Sequence, residues 1–341
     1  MEFKFRNVND AFNSIAEKVE NNDVILDVET SRNGEVRVFP GVTTITYTNP
    51  KERVLFNLAR DANPFFHLYE SLWMLAGKDD VASLDYYNSN MKNYSDNGET
   101  FNGAYGFRWR NADTSVEPRD QIEILIEHLR YNPNSRRAVL QMWNVEDDLM
   151  NINDSNDVCC NLSVVFKVKS ELNALDMVVF NRSNDLVWGA LGANAVHFSI
   201  LQEYVASALN CNVGRYSQVS SNMHFYTDTW KGEEYVKKEN QFNWPNFIYT
   251  GSPTTPLIDD KDRFDKELFE LLHNTDTICK EPFLSSVASP MFLSWRHHKE
   301  KDYVKSQEAL NLVESRDWQL AGNIWIAKRE DRYNNRKSVV I

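Results

Sequence analysis

The chain has 341 residues, 42% of them hydrophobic and 12% aromatic, which supplies a large core and excludes a disordered protein. Its formal net charge of -12 argues against a general nucleic-acid-binding protein, because such proteins present a basic surface. The four cysteines lack metal-type spacing, the N-terminus lacks an apolar signal core, and no apolar run is long enough to span a membrane, so we expect a cytoplasmic protein with reduced thiols and no metal site.

Two helices are predicted in the first half of the chain. One begins at Asn63-Pro64 and runs to Gly77, because proline suits the first helical turn and glycine the position after the last. The other follows from the helical spacing of four apolar residues, Ile122, Leu125, Ile126 and Leu129.

A pair of strands is predicted in the middle of the chain. Residues 137–143 are β-like, and a half-buried strand is indicated by the alternating residues Leu162, Val164, Phe166 and Val168. Residues 170–173 form the predicted turn and residues 175–180 the returning strand. One face of a further helix is indicated by Phe198, Leu201 and Val205. Because these elements do not alternate as βαβ units, we predict an α+β fold in one continuous domain.

Cys160 stands immediately before this strand pair, where a thiol can face a cleft, although a buried structural cysteine is the commoner case. Arg136 and Arg137 lead into the β-like segment, and Arg182 follows the strand pair that Cys160 opens. Guanidinium groups bind phosphate oxygens in a bidentate manner, so arginines beside a candidate nucleophile suggest a phosphorylated substrate. Any one of these arginines, taken alone, fits a surface salt bridge.

Six motifs resemble those of the thymidylate synthase superfamily and follow its order from about residue 24 to residue 230. They lie at residues 70–77, 105–109, 135–145, 160–185, 189–194 and 221–226. Each motif alone is weak, but the ordered set identifies the chain as a member of that superfamily. The resemblance implies a single thymidylate-synthase-like domain over residues 1–341, with a mixed β-sheet flanked by helices. Beyond residue 230 the resemblance is thin.

The resemblance implies transfer of a one-carbon unit from 5,10-methylenetetrahydrofolate to C5 of a pyrimidine nucleoside monophosphate. Cys160 would add to ring C6 as a thiolate and make C5 nucleophilic, and nearby arginines would lower its pKa. The adjacent arginines Arg136 and Arg137 would reach the phosphate in a partner subunit, so a homodimer is implied. Glu70 would organise water and relay protons, and Tyr105 would assist loss of the C5 proton.

The implied site residues fall into four groups. They are, for catalysis, Cys160, Glu70, Tyr105 and Asn161; for the phosphate, Arg32, Arg136, Arg137, Arg182 and Ser183; for the base and sugar, Asn194, His224 and Tyr226; and for the folate, Asp185, Met91 and Ile341. Without the resemblance, Glu70 fits an exposed helix face, Tyr105 and His224 fit the core, and Asp185 fits the cap of a turn.

Four departures from the synthase pattern favour the hydroxymethylase branch, in which water rather than a hydride attacks the one-carbon intermediate. Met91 stands where the synthase pattern has a tryptophan near the folate, and Cys159-Cys160-Asn161 replaces Pro-Cys-His. The basic segment before the glutamate helix is missing. One extra residue lies between Gly189 and Asn194. A true thymidylate synthase is the main alternative.

The pyrimidine base stays open between uracil and cytosine. The amide of Asn194 can pair with O4 and N3–H of uracil, whereas cytosine-specific relatives carry a carboxylic acid there, which favours dUMP. The extra residue leaves the alignment uncertain by one position, where Ala193 would fall. Both dCMP and CMP therefore remain alternatives.

Two other functions are considered. One is a non-catalytic nucleotide-binding protein that has kept the pocket, and the other is a cysteine hydrolase that pairs Cys160 with His197 or His224. Finally, we expect the charged segment 328–337 to be a mobile tail that closes over the ligands, with Ile341 as the latch.

Overall fold

Two sheets organise the computed structural model, which describes residues 1–112, 114, 116–241, 248–249 and 254–339, with side chains up to residue 335. The strands are β1 (Glu2–Phe5), β2 (Asp27–Ser31), β3 (Gly34–Val38), β4 (Thr43–Tyr47), β5 (Val139–Gln141), β6 (Asn161–Lys169), β7 (Ala174–Asn181), β8 (Asn184–Asp185), β9 (Asn212–Ser220) and β10 (Met223–Tyr226). The larger sheet is mixed and has the order β1-β4-β9-β7-β6-β5, while the smaller has the order β2-β3-β10-β8.

Helices surround the larger sheet. They are α1 (Val8–Glu20), α2 (Pro64–Leu75), α3 (Val81–Tyr87), α4 (Tyr105–Arg110), α5 (Gln121–Tyr131), α6 (Asn194–Ala208), α7 (Glu233–Val236), α8 (Lys261–His273), α9 (Ser289–Lys299), α10 (Tyr303–Leu310) and α11 (Arg316–Val339). Helix α6 packs on β7 and β9, and α2 packs on α6. The predicted α+β fold is confirmed, and a single domain over residues 1–341 stays a prediction. In the part of the chain described, no helix combines the length and apolarity needed to cross a membrane.

Both predicted early helices are confirmed. Asn63 caps α2, because its side-chain oxygen accepts from the backbone N–H groups of Phe65 and Phe66 at 3.1 and 3.2 Å. Gly77 follows the helix with φ +69, a backbone conformation that glycine adopts without strain. In α5, the four predicted core residues are all buried: Ile122, Leu125, Ile126 and Leu129.

The strand pair is also present, with two differences. A bulge between Asn161 and Ser163 shifts the alternation at the start of β6, so Asn161 is buried and Leu162 only half-buried. The β-like segment 137–143 is a strand only over Val139–Gln141. Helix α6 does not have the single apolar face expected: 13 of its 15 residues are buried, because it lies between the sheet and other helices.

The C-terminal segment differs from the expectation of a mobile tail. Residues 328–337 belong to α11, and Lys328, Arg329 and Arg332 all form ion pairs with Asp61. The Arg329–Asp61 contact, at 2.5 Å, is the shortest of the three. A helix anchored in this way is not a loose tail up to Arg332. The predicted latch, Ile341, lies outside the described residues.

Candidate active site

Cys160 lies at the end of an irregular loop, directly before β6, and its side chain is half-buried. Arg182, just after β7, holds this loop. Its Nε donates to the carbonyl oxygen of Cys159 at 2.7 Å, and a terminal nitrogen donates to that of Val158 at 2.9 Å. The backbone N–H of Arg182 donates to the carbonyl oxygen of Cys160 at 3.0 Å. The thiol and the arginine that the sequence suggested for one site are therefore adjacent.

The charge balance around the thiol differs from the expectation. Burial raises the pKa of Cys160 above its ordinary value of 9.0, while Arg182 and Arg32 lower it and Asp157 raises it. The arginines act in the predicted direction. The expectation of a lowered pKa is nevertheless wrong for the single chain, because removing the thiolate from water outweighs the arginines.

The neighbouring Cys159 is in a different environment. It is 1% exposed, and its sulfur lies 3.6 Å from the carbonyl oxygen of Gly103 and 3.8 Å from that of Met142. Burial raises the pKa of Cys159 far above 9.0. Of the two adjacent thiols, only Cys160 has the accessibility that a nucleophile requires.

Two residues from distant parts of the chain reach the loop of Cys160. Arg32 lies in the turn between β2 and β3 and donates to the carbonyl oxygen of Asn156 at 3.3 Å. Tyr105 begins α4 and packs against Phe198, with ring centroids 6.4 Å apart. Burial raises the pKa of Tyr105 well above 10, and the neighbouring thiol of Cys160 raises it further. The structure thus brings Arg32, Tyr105 and Cys160 together.

Glu70 projects from α2 towards α6. Its Oε2 lies 2.9 Å from Nε2 of His197, and both side chains are largely shielded from solvent. The two atoms are close without the alignment of a hydrogen bond, and neither has another partner among the described residues. Helix α4 is held against the same helix, because a Cβ on Gly106 would lie 2.1 Å from the carbonyl oxygen of Met74. Glu70 is therefore not on an exposed helix face.

Asn194 begins α6 and is held by a buried amide. Its Nδ2 donates to Oδ1 of Asn184 at 3.1 Å. The extra residue after Gly189 is accommodated by a π-helical turn, Leu186–Ala193, in which Gly192 departs from helical geometry. The turn puts the side chain of Asn194 against Asn184, and its role at the base stays a prediction.

Asp185 and His224 are neighbours in the smaller sheet, where β8 and β10 pair. One carboxylate oxygen of Asp185 caps the π-helical turn, accepting from the N–H groups of Val187 and Trp188 at 2.8 and 2.6 Å. The other oxygen is buried and has no partner among the described residues. Burial raises the pKa of Asp185, while these N–H groups and His224 lower it. The ring of Tyr226 lies edge-on to His224, with centroids 5.5 Å apart.

Arg60 is a residue that the sequence analysis missed. Its guanidinium is buried, donates from Nε to the carbonyl oxygen of Val187 at 3.0 Å, and lies 4.0 Å from the ring centroid of Trp188. Burial lowers the pKa of Arg60 to about 10, against an upward effect of Asp185. The segment before the glutamate helix therefore supplies a buried cation that the sequence analysis did not predict. The pair Arg60-Asp61 ahead of α2 was the available signal.

Arg136 and Arg137 lie away from the thiol of their own chain. Val139, which follows them, faces Val165 in β6, five residues beyond Cys160. At about 3.3 Å per residue, the pair is about 16 Å or more from Cys160 along the sheet. They do not join Arg182 in the site of the same chain.

Three further predicted site residues are partly or fully buried. Ser183 is half-buried directly after Arg182, and Met91 is half-buried against the core. Asn161 is 1% exposed, and neither atom of its amide has a partner among the described residues.

The hydrolase alternative requires a hydrogen bond between Cys160 and a histidine. Across the described part of the chain there is none: His197 faces Glu70, and His224 contacts Asn222 at 2.8 Å.

Comparison with known proteins identifies the family of this chain. The family model for thymidylate synthase matches residues 43–273. A deoxyuridylate hydroxymethyltransferase of Pseudomonas phage M6 is 40% identical over 320 residues, which cover 90% of this chain and 89% of that protein. The chain belongs to the thymidylate synthase family. The family expectation from the ordered motifs is thereby confirmed.

Two further relatives match over shorter stretches. A deoxyuridylate hydroxymethyltransferase of Bacillus phage SP01 is 41% identical over 54% of this chain and 49% of its own length. A thymidylate synthase of Buchnera aphidicola is 27% identical over 55% of this chain and 69% of its own length. Because the phage M6 protein matches 90% of the chain, similarity within this family extends well beyond residue 230.

Proposed function

We propose that this enzyme hydroxymethylates C5 of dUMP, with Cys160 as the nucleophile and 5,10-methylenetetrahydrofolate as the co-substrate. The observation that carries the proposal is the accessible thiol of Cys160, bordered by Arg182, Arg32 and Tyr105. The two relatives named deoxyuridylate hydroxymethyltransferase support the same reaction.

The residues around the thiol suit covalent catalysis at a pyrimidine ring. The sulfur of Cys160 bonds to C6, and the ring electrons move towards C5 and O4. Arg182 and Arg32 stabilise the thiolate and bind the phosphate, whose negative charge they match. Tyr105 lies next to the sulfur and assists loss of the C5 proton.

The folate fits beside Asp185. The buried carboxylate oxygen of this residue lacks a partner, and a pterin ring offers N–H donors to such an acceptor. Arg60 and Trp188 border the same turn and present a cation and an aromatic face. Methylenetetrahydrofolate supplies the one-carbon unit that becomes bonded to C5.

The final step distinguishes a hydroxymethylase from a synthase. Water bonds through its oxygen to the exocyclic methylene carbon and gives a proton to Glu70, and the ring electrons then expel the thiolate of Cys160. Each of the two folate nitrogens that lose the one-carbon unit would gain one proton, and the overall balance is kept by the proton lost from C5 and the proton that water gives to Glu70. We assign Glu70 and His197 as the acid–base pair for this step, and we expect Met91, in place of a tryptophan, to leave space for water.

A homodimer completes the proposed site. The outer face of the larger sheet carries apolar residues with no cover in a single chain: Val139 is 45% exposed and Phe180 is 38% exposed. Arg136 and Arg137 lie at one end of this face, remote from Cys160 of the same chain. A second subunit packed on this face would bring its arginine pair to the phosphate.

We place the enzyme in the reducing cytoplasm, where the thiol stays free.

A product assay tests the proposal. The enzyme is incubated with methylenetetrahydrofolate and dUMP, dCMP or CMP, and the nucleotide product is identified by mass spectrometry. We expect hydroxymethyl-dUMP and tetrahydrofolate. A methylated product with dihydrofolate would establish a thymidylate synthase, the second candidate. No turnover, together with nucleotide binding that Cys160→Ser leaves unchanged, would establish a non-catalytic binding protein.

A further inference from the structure

Three amide groups and a peptide carbonyl form a continuous chain that ends at Asn194. Nδ2 of Asn194 donates to Oδ1 of Asn184 at 3.1 Å, and Nδ2 of Asn184 donates to Oε1 of Gln218 at 3.1 Å. Nε2 of Gln218 donates to the carbonyl oxygen of Ala190 at 2.8 Å. Asn184 and Gln218 are 3% and 0% exposed, so water does not compete for these bonds. We call these three residues and the Ala190 carbonyl the amide relay.

The carbonyl of Ala190 sets the direction of the amide relay. A peptide carbonyl can only accept, so Gln218 must turn its NH₂ group towards it and its oxygen towards Asn184. Asn184 must then present its NH₂ group to Gln218 and its oxygen to Asn194. Asn194 consequently directs an N–H at Asn184, and its own oxygen accepts no hydrogen bond from the residues that the structure describes.

Surrounding groups hold both ends of the amide relay. The hydroxyl of Tyr47 also donates to the carbonyl oxygen of Ala190, at 3.0 Å, and that of Tyr216 donates to the carbonyl oxygen of Asn194, at 3.1 Å. A Cβ on Gly189 would lie 2.6 Å from Oδ1 of Asn184 and 3.3 Å from Nδ2 of Asn194, so the bond between these amides needs a glycine there.

We propose that Gln218 and Asn184 are positioning residues that make the enzyme specific for uracil by fixing the orientation of the Asn194 amide. This inference rests on the proposed function and on the sequence prediction that Asn194 faces the base. In the fixed orientation, Oδ1 of Asn194 accepts from N3–H of uracil, and the second hydrogen on its Nδ2 donates to O4. Cytosine presents a lone pair at N3 and an amino group at C4, so an acceptor meets an acceptor and a donor meets a donor.

The test is the ratio of kcat/KM for dUMP to that for dCMP. Gln218→Met preserves the length of the side chain and removes the amide that donates to the Ala190 carbonyl. The amides of Asn184 and Asn194 then lose the bond that fixes their orientation. We expect this ratio to fall about tenfold or more, because the variant should lose its preference for uracil over cytosine. A merely structural role would reduce both activities and leave the ratio unchanged.

Gln202→Met is the matched control. Gln202 is also fully buried, and its Nε2 donates to the carbonyl oxygens of Leu175 and Arg215 at 2.8 and 3.0 Å, outside the amide relay. We expect a comparable loss of stability and an unchanged ratio. A folded Gln218→Met with the wild-type ratio would overturn the proposal, as would a wild-type enzyme that prefers dCMP.

A second variant and a binding measurement keep the test decisive. If Gln218→Met does not fold, Asn184→Ala interrupts the amide relay one step nearer to Asn194 and should lower the same ratio. Calorimetric binding of dUMP and dCMP to Cys160→Ser, with and without the relay substitution, reports base preference without turnover. If no product forms, the proposed reaction fails while this binding ratio still decides the relay. If product forms and the ratio does not move, only the relay fails.

Discussion

Nε2 of His197 lies 2.9 Å from Oε2 of Glu70, where α6 packs on α2. A third group, His67, lies one helical turn before Glu70, and burial holds its pKa well below 6.5, with Arg60 and His197 lowering it further. His67 is therefore neutral at physiological pH. His197 is the histidine in close contact with Glu70, and it lies one turn from Asn194 on the same helix.

This contact predicts unequal effects of two substitutions on turnover. Glu70→Gln removes the proton acceptor and should slow turnover by about 10²–10⁴-fold, the range typical of a general base. His197→Asn leaves the acceptor and should slow turnover less. Steady-state rates and dUMP binding are the measurements. A His197→Asn enzyme as slow as Glu70→Gln would contradict this order.

The raised pKa of Cys160 predicts its chemical reactivity. At pH 7 to 8 the thiol is mostly protonated, so alkylation by iodoacetamide should be slower than for a free cysteine and should accelerate as the pH rises past 9. Because Arg32 lowers this pKa, Arg32→Gln should move the rise to a still higher pH. Peptide mapping identifies the modified residue, and buried Cys159 should stay unmodified. A rate for Cys160 that is already constant below pH 8 would disprove the raised pKa.

The remote position of Arg137 predicts complementation between inactive chains. Arg137→Ala and Cys160→Ser should each be inactive, and equal amounts of the two should regain about a quarter of wild-type activity, because half the dimers are mixed and each has one intact site. Arg182→Ala mixed with Cys160→Ser is the control. Arg182 contacts the loop of its own Cys160, so this mixture should stay inactive. Equal recovery in both mixtures would be incompatible with arginines shared across subunits.

Asp61 should anchor the end of α11. Asp61→Asn weakens contacts with Lys328, Arg329 and Arg332, and we expect a loss of about 1–2 kcal/mol in unfolding free energy from this partly buried cluster. Hydrogen exchange should increase in α11 after residue 328 and remain unchanged in α5. If hydrogen exchange in α11 is the same in the wild type and in Asp61→Asn, the ion pairs do not hold the helix.

The prediction for the extreme C-terminus is separate. A chain that ends at Asn335 should bind dUMP normally and lose turnover, because Ile341 is predicted to close the site over both ligands. Calorimetry and the product assay measure the two properties. Undiminished turnover would refute the latch.

The sequence predicted some parts of the site and missed others for physical reasons. Cys160 directly precedes β6 and Arg182 directly follows β7, and because these strands pair antiparallel, the two residues meet at the same end of the pair. The raised pKa of Cys160 depends on how deeply the thiol is buried, which no motif encodes. Gln218 reaches the site only because β9 pairs with β7, and its alternating strand gives no sign of a polar contact. Arg60 was missed because its partners, in the turn after Asp185, are more than a hundred residues away.

The placement of Arg136 and Arg137 has a consequence for how the enzyme behaves on dilution. If two of the arginines that bind the phosphate come from the partner subunit, an isolated chain lacks a complete active site. Specific activity should then depend on enzyme concentration and decline once the subunits separate. Saturating nucleotide should oppose that decline, because each bound phosphate contacts both subunits.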